Sequence, residues 1–547
     1  MIRHYRNYIV IFLAAAVIAG CGKVPDNARY IPADAVAVVG LNIRSLGKKI
    51  AWNLITGSKL FKEIQKRMPE KNAGDAIGGI ENAGFDVSNT FYVYTKPDSR
   101  FENGNLVAGL LPLSDAAQWE TYVKGAFPGV QITERSGRKE AILGNDMYVA
   151  WTDKLLIVLN ATTIADDEHP RDTASDRQIM LAEMDKAFTV SVQKSLADNE
   201  RYKKFEGHGY DLSFWLNYGS LVSSYTENMN MDLNGISLSS AVWKDAILTT
   251  GFNFNKGKIS GDISYYLPAQ VEEAAKAFGE QPAGKDMLDK LPKQNLDLLL
   301  SMHISPKGVK SLLEKIGLFG ITNVGLTAQG LDVDYVLDAF DGDMAVLIND
   351  FSLDAETVTD SFMGQMVAHK QQKANMSITY VVKANKQANF DKLLQMTAGT
   401  QMLKAPNGYV LPITAQDSVH LVQDGSYTVI SNKRNYAYGF IDGRFEKDKM
   451  PRKMANKVYD QPFAMCLDIS QLFKDVDPAI SSVPRDSAMI SEGKKLLDNI
   501  TLHGGKFKDN AYQFKMEVNF LNTDENSILE LIDFGMRMND IDRRQTQ

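Results

Sequence analysis

The strongest constraint on the fold is that one order of apolar runs is written twice along the chain. Residues 115–160 can be laid on residues 386–431 at a constant offset of 271, without a gap. Six positions are identical, Ala117/Ala388, Gly137/Gly408, Ile142/Ile413, Asp146/Asp417, Asp153/Asp424 and Val158/Val429, so pattern and order carry the comparison. Trp119, Tyr122 and Val123 in one copy and Phe390, Leu393 and Leu394 in the other place large apolar groups at helical spacing. Each such helix precedes two strand-like runs that flank an aspartate. Earlier in each half, residues 35–43 correspond to 295–304, a strand running into a helix; later, 211–217 correspond to 462–468. Each half closes on two long strand-like runs and a helix, at 247–254, 258–267 and 271–278, and at 500–507, 511–520 and 528–534. Asn255-Lys256-Gly257 and Lys508-Asp509-Asn510 supply hairpin chemistry between the paired runs.

These patterns specify an α+β fold made of two related tandem halves, each a mostly antiparallel sheet with covering amphipathic helices. Frequent hairpin joints weigh against a doubly wound parallel sheet. With 44% hydrophobic residues the chain can bury more than one core. The expected divisions are a leader (1–20), a tether (21–29), a first half (30–278), a linker (279–290) opening on Gly279-Glu280-Gln281-Pro282-Ala283-Gly284, and a second half (291–547). Leu60, Phe61, Ile64 and Met68, with Lys59, Lys62, Lys66 and Arg67 turned outward, exemplify the sheet-covering helix.

A strand runs into a helix twice in each half, ending on Asn42, Asn217, His303 and Asp468. Four polar residues at one structural position invite a functional reading. The better account is capping, because a side chain there satisfies free amides at the helix start, with Ser45, Ser220 and Ser305-Pro306 nearby. Trp119, Trp151 and Trp215 align with Phe390, Val422 and Cys466, all apolar, so they are expected in cores rather than on a ligand-stacking surface.

The N-terminus carries an address. Arg3 and Arg6 precede an apolar run, residues 9–18, of signal-peptide length, and Ile18-Ala19-Gly20-Cys21 closes it in the manner of a bacterial lipobox. Cleavage between Gly20 and Cys21 would leave Cys21 to be lipidated, and several acyl chains would hold the protein to a membrane. The short polar tether lacks an acidic run, and Gly22 is not an inner-membrane retention aspartate. The periplasmic face of the outer membrane is therefore favoured over the cell surface. With the leader gone the formal charge moves from −7 to −9, because Arg3 and Arg6 leave with it, which argues against a nucleic-acid partner. Cys466 is the only other cysteine, so a lipidated Cys21 leaves no intramolecular disulfide. Cys466 sits in the apolar run Phe463-Ala464-Met465-Cys466-Leu467 and reads as a buried small hydrophobe.

No catalytic set, metal ligand set or cofactor motif emerges. His4, His169, His208, His303, His369, His420 and His503 are scattered, with no zincin or Cys/His zinc pattern. Walker-type loops, strand-coupled dinucleotide fingerprints and GxSxG elbows are absent. Ser-x-x-Lys occurs at Ser45/Lys48, Ser191/Lys194 and Ser491/Lys494 without the companion elements of an acyl-enzyme hydrolase, so coincidence explains it. Residues 230–236 resemble the start of an EF-hand loop. Asn230 replaces the first aspartate, however, and Ala241 stands where a bidentate glutamate is needed, so an Asn-Gly turn is the better reading.

The lipobox, the Tyr30-Ile31-Pro32-Ala33-Asp34-Ala35 entry into the first strand and the Ala339-Phe340-Asp341-Gly342-Asp343 step together resemble an uncharacterised Bacteroidetes lipoprotein family, domain of unknown function 4836. The resemblance implies an address but no catalytic residues. The expected function is thus a non-catalytic outer-membrane lipoprotein, a scaffold or binding module for an envelope protein or glycan. The alternative is an envelope hydrolase or a glycan- or peptide-binding protein with its site between the halves. Cys21→Ser is expected to abolish incorporation of labelled palmitate; retained label would refute the lipid anchor.

Overall fold

The computed structural model describes residues 24–49, 83–98, 105–144, 147–162, 173–221, 245–362, 365–398, 402–413, 417–474, 476 and 484–546. Gly20 and Cys21, the 59–68 helix pattern, His4, His169 and the 230–241 loop lie outside them. The chain divides into two compact units, Met1–Leu221 with Ile247–Phe254, and Val222–Ala246 with Asn255–Gln547.

The first unit builds its sheet from β1 (Ala37–Asn42), β2 (Thr90–Pro97), β3 (Asn105–Pro112), β4 (Thr133–Arg135), β5 (Arg138–Leu143), β6 (Met147–Trp151), β7 (Leu155–Thr162), β8 (Leu212–Asn217) and β9 (Ile247–Asn255). Their spatial order is β9-β8-β1-β2-β3-β7-β6-β5-β4, and each of these pairings is antiparallel. The second unit uses β10 (Lys258–Tyr266), β11 (Leu296–His303), β12 (Phe340–Phe362), β13 (Gln365–Ala384), β14 (Leu403–Ala405), β15 (Gly408–Pro412), β16 (Ser418–Gln423), β17 (Tyr427–Ser431), β18 (Phe463–Asp468), β19 (Leu497–Lys508) and β20 (Ala511–Phe520). Their order is β10-β20-β19-β18-β11-β12-β13-β17-β16-β15-β14, again antiparallel throughout. From β19 to β14 this is the first unit's order with ten added to every strand number.

The division falls earlier than residue 278. β10 pairs along its whole length with β20, from Lys258 opposite Asn519 to Tyr266 opposite Ala511, and those hydrogen bonds bind it to the second unit. The stretch expected as a linker contains the helix Lys285–Lys290, whose Met287 and Leu288 are wholly buried in the second unit's core. The turn between β19 and β20 holds Asp509 and Asn510 at positive φ, 54° and 61°, the conformation that a tight two-residue hairpin demands.

One face of the second unit's strands carries the core. Leu299, Ala345, Leu347, Val381, Val429, Ala464 and Cys466 pack there against Leu288, Phe440, Met454 and Val458, which arrive on helices Lys285–Lys290, Arg434–Ile441 and Arg452–Val458. Cys466 is 1% exposed, and burial pushes its thiol pKa up to about 12, so it is an inert packing residue. In the first unit Trp119, on helix Ala116–Ala126, packs with Val123, Val149, Trp151 and Leu156. Its counterpart Phe390, on helix Gln387–Ala398, packs with Ala339 and Ala384. Trp119, Trp151 and Trp215 are all buried, as are Phe390, Val422 and Cys466.

Three of the four strand-end residues cap. The Asn42 Oδ1 accepts the Ser45 amide at 3.0 Å, the Asn217 Oδ1 accepts the Ser220 amide at 3.0 Å, and the Asp468 Oδ1 accepts the Gln471 amide at 3.0 Å. Asn42→Ala is expected to destabilise the first unit by about 1 kcal/mol, the usual value of a lost cap, read as a lower chemical-denaturation midpoint. A pH dependence also follows from His503 on β19, which is 9% exposed. Burial, reinforced by Lys457 and Lys515 against the opposing pull of Glu517, lowers its pKa from the ordinary 6.5. The unfolded chain then takes up a proton that the folded chain refuses, so stability is full above pH 6.5 and falls as pH drops below it. Melting temperatures measured from pH 7.5 to 5.5 should decline, and the decline should be shallower in His503→Gln.

Candidate functional site

His303 is the strand-end residue that does not cap. The helix after β11, Pro306–Lys315, is capped instead by Ser305, whose Oγ accepts the Gly308 amide at 3.3 Å, with Pro306 in the first turn. Ser305-Pro306 already performs the capping, which frees the imidazole; that was the signal in the sequence that distinguished this junction from the other three.

The freed ring faces a carboxylate. β11 pairs with β12 so that His303 stands directly opposite Asp343, and its Nδ1 lies 2.8 Å from the Asp343 Oδ1. Both side chains are nearly inaccessible, 6% and 4% exposed. Asp341, Gly342 and Asp343 open β12, where its register with β13 shifts between Phe340 and Met344. Gly342 has φ +122°, and a Cβ there would lie 2.7 Å from the Ile304 carbonyl oxygen and 2.9 Å from the His303 Cε1, so only glycine allows this approach. Lys383 on β13 holds its Nζ 3.7 Å from the Asp341 Oδ1 and 3.8 Å from the Asp343 Oδ2. On the far side of the cluster, Gly284 brings backbone against Asp343 and Asp286, and the Tyr427 hydroxyl donates to Asp286. Burial, followed by this hydrogen bond and the charges of Asp286, Asp343 and Asp341, raises the Tyr427 phenol pKa far above its ordinary 10.0. Burial resists ionisation of Asp286, but Tyr427 and Lys383 together hold its carboxyl below the usual range. Two residues inward on the same face, Ser301 is fully buried, and its hydroxyl has no hydrogen-bond partner among the described residues.

The opposite face of the same strands forms a cavity of about 430 Å³. Met302 and Phe463 sit opposite each other on β11 and β18, and Phe514 and Tyr265 come from β20 and β10. Val271, Ala275 and Phe278 from the 269–279 helical segment, with Leu312 from helix Pro306–Lys315, complete an apolar lining that remains open to solvent. Side chains alternate between faces along a strand, so Met302 lies on the face opposite the core, while His303, at the end of β11, also borders the cavity. Two larger clefts in the first unit, about 650 and 660 Å³, are lined by charged groups including Glu140 and Arg177, and Asp34, Lys96 and Lys186.

The other sequence candidates have structural partners. The Ser45 hydroxyl donates to the buried Asp211 at 2.6 Å, and Lys49, rather than Lys48, pairs with that carboxylate at 2.6 Å. Lys494 donates to the Val476 carbonyl at 2.8 Å. His208 sits 2.8 Å from the Lys204 carbonyl, and His420 lies 3.2 Å from the Ser418 hydroxyl.

Among the described residues, no helix is long and apolar enough to cross a membrane. No match was found among curated proteins. Among solved structures, crystal form III of TP0453 aligns with 11% identity and a TM-score of 0.25, over 45% of this chain and 80% of that one. Crystal form IV aligns with 10% identity and a TM-score of 0.25, over 44% and 81%. The model of the family described as a domain of unknown function, DUF4836, matches residues 28–438, a span that includes the first unit's sheet and the His303, Asp341, Asp343 and Lys383 cluster, and the chain belongs to that family.

Proposed function

We propose that the protein is a lipid-anchored, non-catalytic binding module of the bacterial envelope, whose second unit holds an apolar small molecule with an acyl chain. The observation that carries this reading is the 430 Å³ cavity walled by Tyr265, Phe278, Met302, Leu312, Phe463 and Phe514. Its size falls in the range of small-molecule sites. Its walls offer few hydrogen-bonding groups, which disfavours a glycan, since each sugar hydroxyl buried without a partner costs free energy. A hydrocarbon chain bears no such cost and gains from every methylene removed from water. The lipobox at Cys21 supports an envelope location at the outer membrane, and attachment through N-terminal lipid would hold the cavity close to a source of acyl chains.

Displacement of a fluorescent fatty acid from the full chain by saturated fatty acids of increasing length tests the reading. Affinity is expected to rise about fourfold per methylene until the cavity is full, from about 0.8 kcal/mol per buried methylene. Leu312→Trp, which fills the cavity from a half-buried helix position, is expected to abolish binding while leaving the melting temperature near that of the parent. Undiminished binding by that variant would refute the site.

A further inference from the structure

We propose that His303, Asp341 and Asp343 form a site for a divalent transition-metal ion of the Zn²⁺ class. One nitrogen of His303 and one oxygen from each aspartate lie within 4.8 Å of one another. A tetrahedral zinc ion holds its ligands about 3.3 Å apart, so side-chain shifts of about an ångström close the set. One imidazole and two carboxylates make a mixed nitrogen and oxygen donor set. That set suits Zn²⁺ or Mn²⁺ better than Ca²⁺ or Mg²⁺, which take oxygen ligands.

Three further observations point to a cation here. The first is charge. Asp286, Asp341 and Asp343 converge on one corner, and Lys383 reaches two of them only at 3.7 and 3.8 Å, beyond hydrogen-bonding distance. The second is unmet polarity, because the buried Ser301 hydroxyl, on the same strand face as His303, lacks a partner among the described residues. The third is access: Asp341 is 37% exposed and Lys383 27%, so the outer ligand of the set is reached from solvent. Lys383 occupies the place of a competing cation, and a bound metal ion displaces its ammonium from the carboxylates.

Isothermal titration calorimetry of the full chain with ZnCl₂, MnCl₂ and CaCl₂ tests the site. One equivalent of Zn²⁺ is expected to bind, more tightly than Mn²⁺ and much more tightly than Ca²⁺. His303→Ala and Asp341→Asn are each expected to weaken Zn²⁺ binding about tenfold or more. Lys383→Ala is expected to strengthen it, which a merely structural ion-pair network would not do. Asp341 is partly exposed, so its variant remains readable if His303→Ala fails to fold, with near-ultraviolet circular dichroism reporting the fold. No Zn²⁺ binding by the parent chain, or parental affinity in Asp341→Asn, would overturn the proposal. Fatty-acid displacement is measured separately, so failure of the metal site leaves the reading of the cavity to its own test.

Discussion

The second unit depends on the register of one central strand. β11 is hydrogen-bonded on both edges, to β12 and to β18, and each alternate residue serves one face. Leu299 packs among the core helices, whereas Met302 lines the cavity. A slip of one residue would turn Leu299 out of the core and part His303 from Asp343. Burial of Leu299 beside Ala345, Leu347 and Cys466 prevents that slip, so the apolar core indirectly fixes the polar geometry.

The His303–Asp343 pair lies where the core face ends, and its energetics differ from those of the surface ion pairs. Taking a carboxylate out of water costs several kcal/mol unless partners compensate. Asp343 receives one short contact from His303 and a longer one from Lys383. Asp211 in the first unit shows the fully compensated case. Also wholly buried, it accepts from Ser45 and Lys49 at 2.6 Å and from the Phe254 amide at 2.7 Å.

Much of the architecture was legible beforehand, for identifiable reasons. Trp119 and Phe390, or Trp215 and Cys466, differ in size but share a position on a periodic apolar face, and periodicity survives where identity has faded. The capping residues Asn42, Asn217 and Asp468 were readable because a cap is a local interaction, made within three residues of itself. The earlier end of the first unit was not readable. β10 belongs with β20, a partner about 250 residues away, and no local pattern encodes such a pairing. Helix Lys285–Lys290 was hidden for a related reason, since six residues after a Pro-Ala-Gly stretch read as linker until Met287 and Leu288 are seen filling a core.

The sequence by itself determined the α+β class, the alternation of strand faces, the helix caps, the inert character of Cys466 and the motif at Cys21, because each rests on periodicity or on chemistry among near neighbours. Only the tertiary structure decided that His303 meets Asp343 across 40 residues and that Tyr265, Phe463 and Phe514 line one cavity. Those associations depend on strand register and on which helices cover which face, and both are set by the summed burial of the whole sheet rather than by any segment of it.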